Sequence, residues 1–314
     1  MNPSRPLTRR AILRQALLFS AALAVPRFLH GQLPVVTSPD TLHLFALGDW
    51  GTGGNPAQKS VAIAMQDYAR RERLTPEALL FLGDNFYGPL PGVDSPRWKR
   101  EFEDMYPAGA FPGPCYAVLG NHDYDDQPDG EKIQMAYAQK PGTRWKMPAR
   151  WYRLDLPAKN PVVTLLCLDT HYQKLSAADI AEQQRWLEAQ LDAPRTTPWL
   201  FVCGHHPVLS CGPHHGDSKH LTAWQEYLPG KKVHAYLAGH EHDLQHLRGK
   251  DGFTDWLVSG GGGRDLHPVK ADATTQFARE SLGFLHLAIT PGRMIANFVG
   301  IEGRPVYTHE RTAA

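Results

Sequence analysis

The 314-residue sequence has no excess of either charge, with 33 Lys and Arg against 32 Asp and Glu and a formal net charge of +1. That balance excludes a general electrostatic case for nucleic-acid binding. Long apolar runs are missing too: no stretch approaches the roughly 20 residues of a membrane-spanning helix. Cysteine is scarce. Cys115, Cys167, Cys203 and Cys211 form no Cys-x-x-Cys pair, so cysteine-based zinc is not expected. Outside the cytoplasm the four could pair, yet the first three lie in or beside apolar strand-like runs, where buried free thiols are common. Internal repeats and low-complexity segments are absent. Histidine, by contrast, is plentiful. Of 16 His, nine fall between His205 and His246, a concentration that suggests metal or acid–base chemistry. With 42% hydrophobic residues the chain can also bury a sizeable core.

The segment Thr8-Arg9-Arg10-Ala11-Ile12-Leu13-Arg14, followed by the apolar run Ala16 to Val25, reads as a twin-arginine export signal. It pairs two arginines with apolar residues two and three places on, and it contains no acid. The cut is expected between Ala24 and Gln32, which makes residues 1–31 the signal and 32–314 a single domain. The mature protein is then expected to be periplasmic or secreted, mildly acidic, monomeric and without a stable membrane anchor.

The remaining chain repeats one local pattern: an apolar run ends in Gly, and ligand-type residues follow at once. Leu42–Leu47 precedes Gly48-Asp49-Trp50-Gly51, and Ala78–Leu82 precedes Gly83-Asp84-Asn85-Phe86-Tyr87. Tyr116–Leu119 precedes Gly120-Asn121-His122-Asp123, and Trp199–Cys203 precedes Gly204-His205-His206-Pro207. The last is Val233–Ala238 before Gly239-His240-Glu241-His242. Short apolar runs bounded by Gly predict buried strands. In open α/β sheets ligands gather at the carboxyl ends of strands, so these five ends are expected to converge on one site. A helix is predicted between the first two runs, capped by Asn55, started by Pro56 and burying Val61, Met65, Tyr68 and Ala69. A second begins at Ser176, with Asp179 completing a capping box and Ile180, Leu187 and Leu191 facing inward. Residues 88–114 read as a long loop with a short helix near Trp98–Met105, and residues 124–150 as a similar loop. Phe284–Ile289, Met294–Val299 and Pro305–Thr308 predict antiparallel strands closing a second sheet.

The five ordered blocks GDWG, GDNFY, GNHD, GHHP and GHEH resemble the calcineurin-type metallophosphoesterases. The Tyr three places after the second Asp narrows the resemblance to the purple acid phosphatases. The run AYLAGHEHDLQHL and the order of the intervening segments are similar to their small, tartrate-resistant type, over roughly residues 41–309. The resemblance implies an α/β, four-layer α-β-β-α sandwich: two mixed sheets flanked by helices, with ligands at strand carboxyl ends. It implies a dinuclear centre in which Asp49, Asp84, Tyr87 and His242 hold iron(III). Asp84, Asn121, His205 and His240 hold a second, divalent ion (iron, zinc or manganese), and Asp84 bridges. Hard carboxylate and phenolate oxygens suit iron(III), while imidazole and amide oxygen suit a divalent ion. The implied activity is acid phosphatase hydrolysis of small phosphomonoesters, with a metal-bound hydroxide as nucleophile.

His122, directly after Asn121, is expected to project beside the second metal and act as the acid–base or charge-stabilising group. His214 is the second catalytic candidate, and His215 replaces it if the register slips by one. Asp123 and Glu241 are candidates to orient the His rings. His206, His215, His220 and His246 read as surface or loop residues. The Gly260–Gly263 run suits either phosphate approach or a tight turn, with Arg264 beside it. One departure stands out. The Thr170–Ser176 connection is short, and His220 stands where animal members have the Cys that anchors a repressive loop, so proteolytic activation is not implied. The competing classes are a phosphodiesterase or nucleotide pyrophosphatase on the same fold, which does not need Tyr87, and a non-catalytic exported metal- or phosphate-binding protein.

Overall fold

A computed structural model of the protein describes residues 40–214, 219–250 and 252–313; the segment read as an export signal, and His215, lie outside the described residues. Strands of the first half are β1 (Leu42–Leu47), β2 (Ala78–Leu82), β3 (Cys115–Val118), β4 (Trp145–Lys146), β5 (Tyr152–Leu156) and β6 (Val163–Cys167). Those of the second half are β7 (Trp199–Cys203), β8 (Ala235–Ala238), β9 (Leu244–Arg248) and β10 (Asp255–Ser259). They continue with β11 (Thr275–Arg279), β12 (Gly283–Thr290), β13 (Arg293–Gly300) and β14 (Pro305–Thr312). Two seven-stranded sheets result, ordered β14-β13-β12-β1-β2-β3-β4 and β11-β9-β10-β8-β7-β6-β5. Both are mixed. β1 to β4 run parallel while β12 lies antiparallel to β1, and β6, β7, β8 and β10 run parallel with β5 and β9 antiparallel at their flanks.

The layers follow from period-two alternation along strands buried on both faces. In β1, Leu44 and Ala46 join the apolar cluster between the sheets, while Phe45 and Leu47 turn outward beneath α1 (Pro56–Glu72). In β7, Trp199, Phe201 and Cys203 face the inter-sheet layer, and Leu200 and Val202 face the outer layer that holds Leu187 and Leu191 of α3 (Ala177–Asp192). The architecture is thus the expected α-β-β-α sandwich. The Asn55 side chain caps α1 by accepting from Gln58 N at 2.8 Å, and Val61, Met65, Tyr68 and Ala69 are all buried. Ser176 and Asp179 form the expected capping box of α3. Ile180, however, is only half-buried, and Gln183 takes the interior place, bonding both the N–H and the carbonyl of Asp169.

Three further expectations need correcting. The carboxyl-terminal strands β12 to β14 are antiparallel, but they extend the first sheet from β1 rather than closing the second. Residues 124–150 are not all loop: they contain the helix α2 (Gly130–Tyr137) and the short strand β4. His246 is neither a surface nor a loop residue but a buried one on β9, held by Asp255, while His206 does lie in the loop after β7 but is buried there against Thr170. The four Cys are buried free thiols, and Cys167 and Cys203 are register partners on adjacent strands with Sγ atoms 3.5 Å apart. No helix among the described residues is long and apolar enough to cross a membrane.

Candidate metal centre

All five strand ends open onto one place. Asp49 follows β1, Asp84 and Tyr87 follow β2, Asn121 and His122 follow β3, His205 follows β7, and His240 and His242 follow β8, so both sheets contribute. Close backbone approach makes this possible. Gly83 turns with φ +87°, and a Cβ there would lie 2.6 Å from His205 Nδ1; a Cβ on Gly120 would lie 2.2 Å from Asp84 Oδ1. Asp49 (φ 61°), Asp84 (φ 47°) and His240 (φ 70°) are themselves left-handed, a conformation that costs free energy in non-glycine residues and clusters at functional sites.

The donors fall into two groups. In the first, the Tyr87 hydroxyl is 3.1 Å from Asp49 Oδ1 and 3.1 Å from His242 Nε2, with His242 Nε2 3.5 Å from Asp49 Oδ1. In the second, Asn121 Oδ1 is 3.1 Å from both His205 Nε2 and His240 Nδ1, which are 3.3 Å apart. Asp84 Oδ2 lies 3.4 Å from His205 Nε2, while His122 N–H donates to its Oδ1 at 2.9 Å. Ligands bound at 2.0–2.1 Å around one ion stand about 3.0–3.4 Å apart, so both groups match the edges of a coordination shell. Tautomers agree. His205 Nδ1 donates to the Leu82 carbonyl at 2.8 Å and His242 Nδ1 to the Asp265 carbonyl at 2.6 Å, which leaves each Nε2 to face the site. In the second group the His205 Nε2 and the Asn121 Oδ1 then both turn to one point, the nitrogen carrying a proton that a bound cation would displace.

Electrostatics point the same way. Burial alone would lower the His205 pKa, but Asp84 and Asp49 outweigh it and lift the ring to about 9. Burial also opposes ionisation of Asp84, yet His205 holds that carboxyl well below its ordinary range. These wholly buried carboxylates therefore require positive charge between the sheets. Burial, then Asp49 and Asp84, keep the Tyr87 phenol protonated to high pH, a preference that a bound cation reverses.

His122 and His214 both lie near these groups. The His122 ring packs on Tyr87 with centroids 4.5 Å apart, and its Nδ1 is fixed by Asp126 at 2.9 Å. It thus stands beside the first group's tyrosine, with its backbone N–H on Asp84. The His214 ring is 5.1 Å from His240, with Nδ1 3.3 Å from Glu241 Oε2. The expected partners act differently from the sequence reading. Asp123 touches no ligand ring; it accepts from the N–H groups of Gly120, Asn85 and Phe86 and from Gln134, so it fixes the loops after β2 and β3. Burial, then Asp84, raises its pKa to about 7. Glu241 orients His214 and His267, not the ligand rings beside it in sequence. His267 went unnoticed in the sequence. Its ring stacks on His242 at 3.9 Å, but it sits alone after Leu266, with no motif to mark it.

Comparison with known proteins accords with this geometry. Residues 42–244 match the family model of calcineurin-like phosphoesterases. The chain is 30% identical to tartrate-resistant acid phosphatase type 5 of Mus musculus over 90% of this chain and 93% of that protein. It is 26% identical to purple acid phosphatase 3 of Arabidopsis thaliana over 87% of this chain and 78% of that one. Among solved structures, GAP50, the anchor in the inner membrane complex of Plasmodium, superposes with a TM-score of 0.76 at 23% identity, covering 87% of this chain and 89% of that one. The purple acid phosphatase PPD1 from yellow lupin seeds superposes with a TM-score of 0.64 at 16% identity, covering 87% and 54%. These two share the fold. Taken with the clustered carboxylates and imidazoles, the family match and the mouse relative establish that the chain belongs to the calcineurin-like metallophosphoesterases, in their purple-acid-phosphatase-like family, and is a metal-dependent phosphoesterase.

Proposed function

We propose that the protein is an acid phosphatase that hydrolyses small phosphomonoesters at a dinuclear centre of iron(III) and a divalent ion. Asp49, Asp84, Tyr87 and His242 would hold the iron, and Asp84, Asn121, His205 and His240 the divalent ion. Two ions so placed would supply Lewis-acid clamping of the phosphate and activation of water. The observation that carries this reading is the pairing of the two donor groups across Asp84, one containing a phenol and the other an amide oxygen with two imidazoles.

The remaining chemistry belongs to side chains. With Nδ1 held by Asp126, His122 presents Nε2 as the proton donor to the leaving alkoxide, and its side chain is 35% exposed, open to substrate. His214 is held in the same way by Glu241 and supports the phosphate charge from the other side of the centre. The short Thr170–Ser176 connection holds only a single helical turn, Tyr172–Lys174, which supports activity without internal cleavage. The test is a comparison of kcat/KM for p-nitrophenyl phosphate and bis-p-nitrophenyl phosphate at acidic and neutral pH. Preference for the monoester, greatest at acidic pH, is expected; preference for the diester overturns the reading.

We also propose that residues 1–31 direct export of the folded catalytic domain, residues 32–314, by the twin-arginine route. A five-strand site forms only with the sheets, so folding and metal loading are coupled. Arg9→Lys with Arg10→Lys is expected to leave active enzyme in the cytoplasmic fraction of a bacterial host; undiminished periplasmic activity contradicts this.

A further inference from the structure

Beside the candidate centre lies a cavity of about 530 Å³ whose walls include Tyr87, His122, Arg97, Arg100 and Arg264. Tyr87 and His122 place it where the alcohol portion of a substrate must lie. Its three guanidinium groups are not equivalent. Arg97 is spent on Glu101 at 2.6 Å and on the carbonyls of Gly51, Tyr87, Gly88 and Pro89. Arg100 is spent on Glu101 at 2.5 Å and the Gly53 carbonyl at 3.1 Å. The cavity's one acid, Asp126, is occupied by His122 and by the Gly88 N–H. The Arg264 side chain makes no hydrogen bond or ion pair among the described residues. Its Cζ lies 4.9 Å from the centre of the Tyr87 ring, and its backbone N–H donates to the Asp49 carbonyl at 3.1 Å. Stacking on the ring holds the guanidinium plane while leaving its N–H edge for an anion. The cavity therefore presents one uncommitted positive charge, anchored on two residues of the first donor group.

We propose that Arg264 binds a second anionic group on the substrate's alcohol portion, so that the enzyme prefers phosphomonoesters whose leaving group carries a carboxylate or another phosphate. This rests on the phosphomonoesterase reading. A planar guanidinium that meets a carboxylate or phosphate edge-on donates two charge-assisted hydrogen bonds, which a neutral hydroxymethyl group cannot accept with equal strength.

The test measures kcat and KM for two matched pairs. One is 3-phosphoglycerate against glycerol 3-phosphate, for the carboxylate; the other is fructose 1,6-bisphosphate against fructose 6-phosphate, for the phosphate. The unaltered enzyme is expected to favour the anionic member of at least one pair. Arg264→Gln is expected to shrink that preference about 10- to 100-fold, chiefly through KM, as loss of a charged hydrogen bond implies. Arg264→Lys is expected to keep part of it. No preference in the unaltered enzyme, a preference that survives Arg264→Gln, or an equal loss on both members overturns the inference while leaving the phosphatase reading intact. Absence of turnover of all four compounds by an enzyme that hydrolyses p-nitrophenyl phosphate overturns the inference alone; absence of turnover of that ester as well overturns the phosphatase reading.

Discussion

Of the carboxylate–imidazole clusters among the described residues, two contrast sharply: one has the character of a metal centre and the other does not. The first joins Asp49, Asp84, His205, His240 and His242 at the carboxyl ends of β1, β2, β7 and β8. The second surrounds Asp255 at the start of β10, where His246, His309, Arg248 and Arg311 converge at 3.1, 3.3, 2.7 and 3.1 Å. Residue types and spacing are alike enough that either could hold an ion. Polarity separates them. Around Asp255 every contact pairs a donor with an acceptor: four N–H groups point at the two carboxylate oxygens, and Tyr307 hydroxyl donates to His246 Nδ1. Two guanidinium groups already neutralise the acid. In the first cluster several ring nitrogens and oxygens of carboxylate, amide and phenol crowd within 3.1–3.5 Å of one another, no guanidinium donates to them, and Asp49, Asp84 and His240 have left-handed backbones. Composition nominates both clusters; the converging ligand atoms and the local backbone strain favour the first.

The contrast is broken most severely at Asp84. Asp84→Ala removes the carboxylate between the two donor groups and is expected to abolish binding of at least one ion. Activity should then fall by about 10³-fold or more, the scale of several kcal/mol of Lewis-acid stabilisation. Mass spectrometric metal analysis with a phosphatase assay reads both. His122→Ala sharpens the distinction between holding metal and moving a proton. Full metal content is expected with turnover reduced about 10²- to 10⁴-fold; loss of an ion would make His122 a ligand.

The opposite result is expected at the second cluster. Asp255→Asn leaves two guanidinium groups facing an uncharged amide in the interior, and should cost about 3 kcal/mol of stability. Metal content and kcat/KM should be unchanged, as denaturant titration and metal analysis would verify. Its pH dependence follows from the shift. Burial opposes the charge of Asp255, but His246, His309 and Arg248 prevail and hold its pKa far below the ordinary carboxylate value. A depressed carboxylate stabilises the fold above its unfolded pKa, and that contribution is lost as pH falls. The stability gap between the two proteins should therefore hold at neutral pH, begin to narrow below about pH 4 and shrink steadily as the pH falls further toward the depressed folded value.

Much of the centre was legible in the sequence because its ligands are local to strand ends. The Gly at each end and the ligand beside it are consecutive, so Asp49, Asp84 and His205 could be placed before any contact was known. What stayed hidden was long-range. Nothing near Asp123 reveals that it serves the N–H groups of Asn85 and Phe86, thirty-eight and thirty-seven residues away. His267 reaches His242 only through the path of the loop after β10. The sheet membership of β12 to β14 depends on pairing with β1 across the whole chain, which apolar alternation alone does not encode. His246 looked like a surface residue because its partner, Asp255, lies on the neighbouring antiparallel strand.

On the proposed reading, the cluster at the strand ends, and not the one around Asp255, holds two ions with Tyr87 on iron. That reading is tested most directly by metal content and visible absorption of the purified enzyme and of Tyr87→Phe. Two ions per chain are expected, at least one of them iron, with a visible charge-transfer band that the substitution removes while the fold persists by circular dichroism. A colourless enzyme, or a band that survives Tyr87→Phe, would contradict the account.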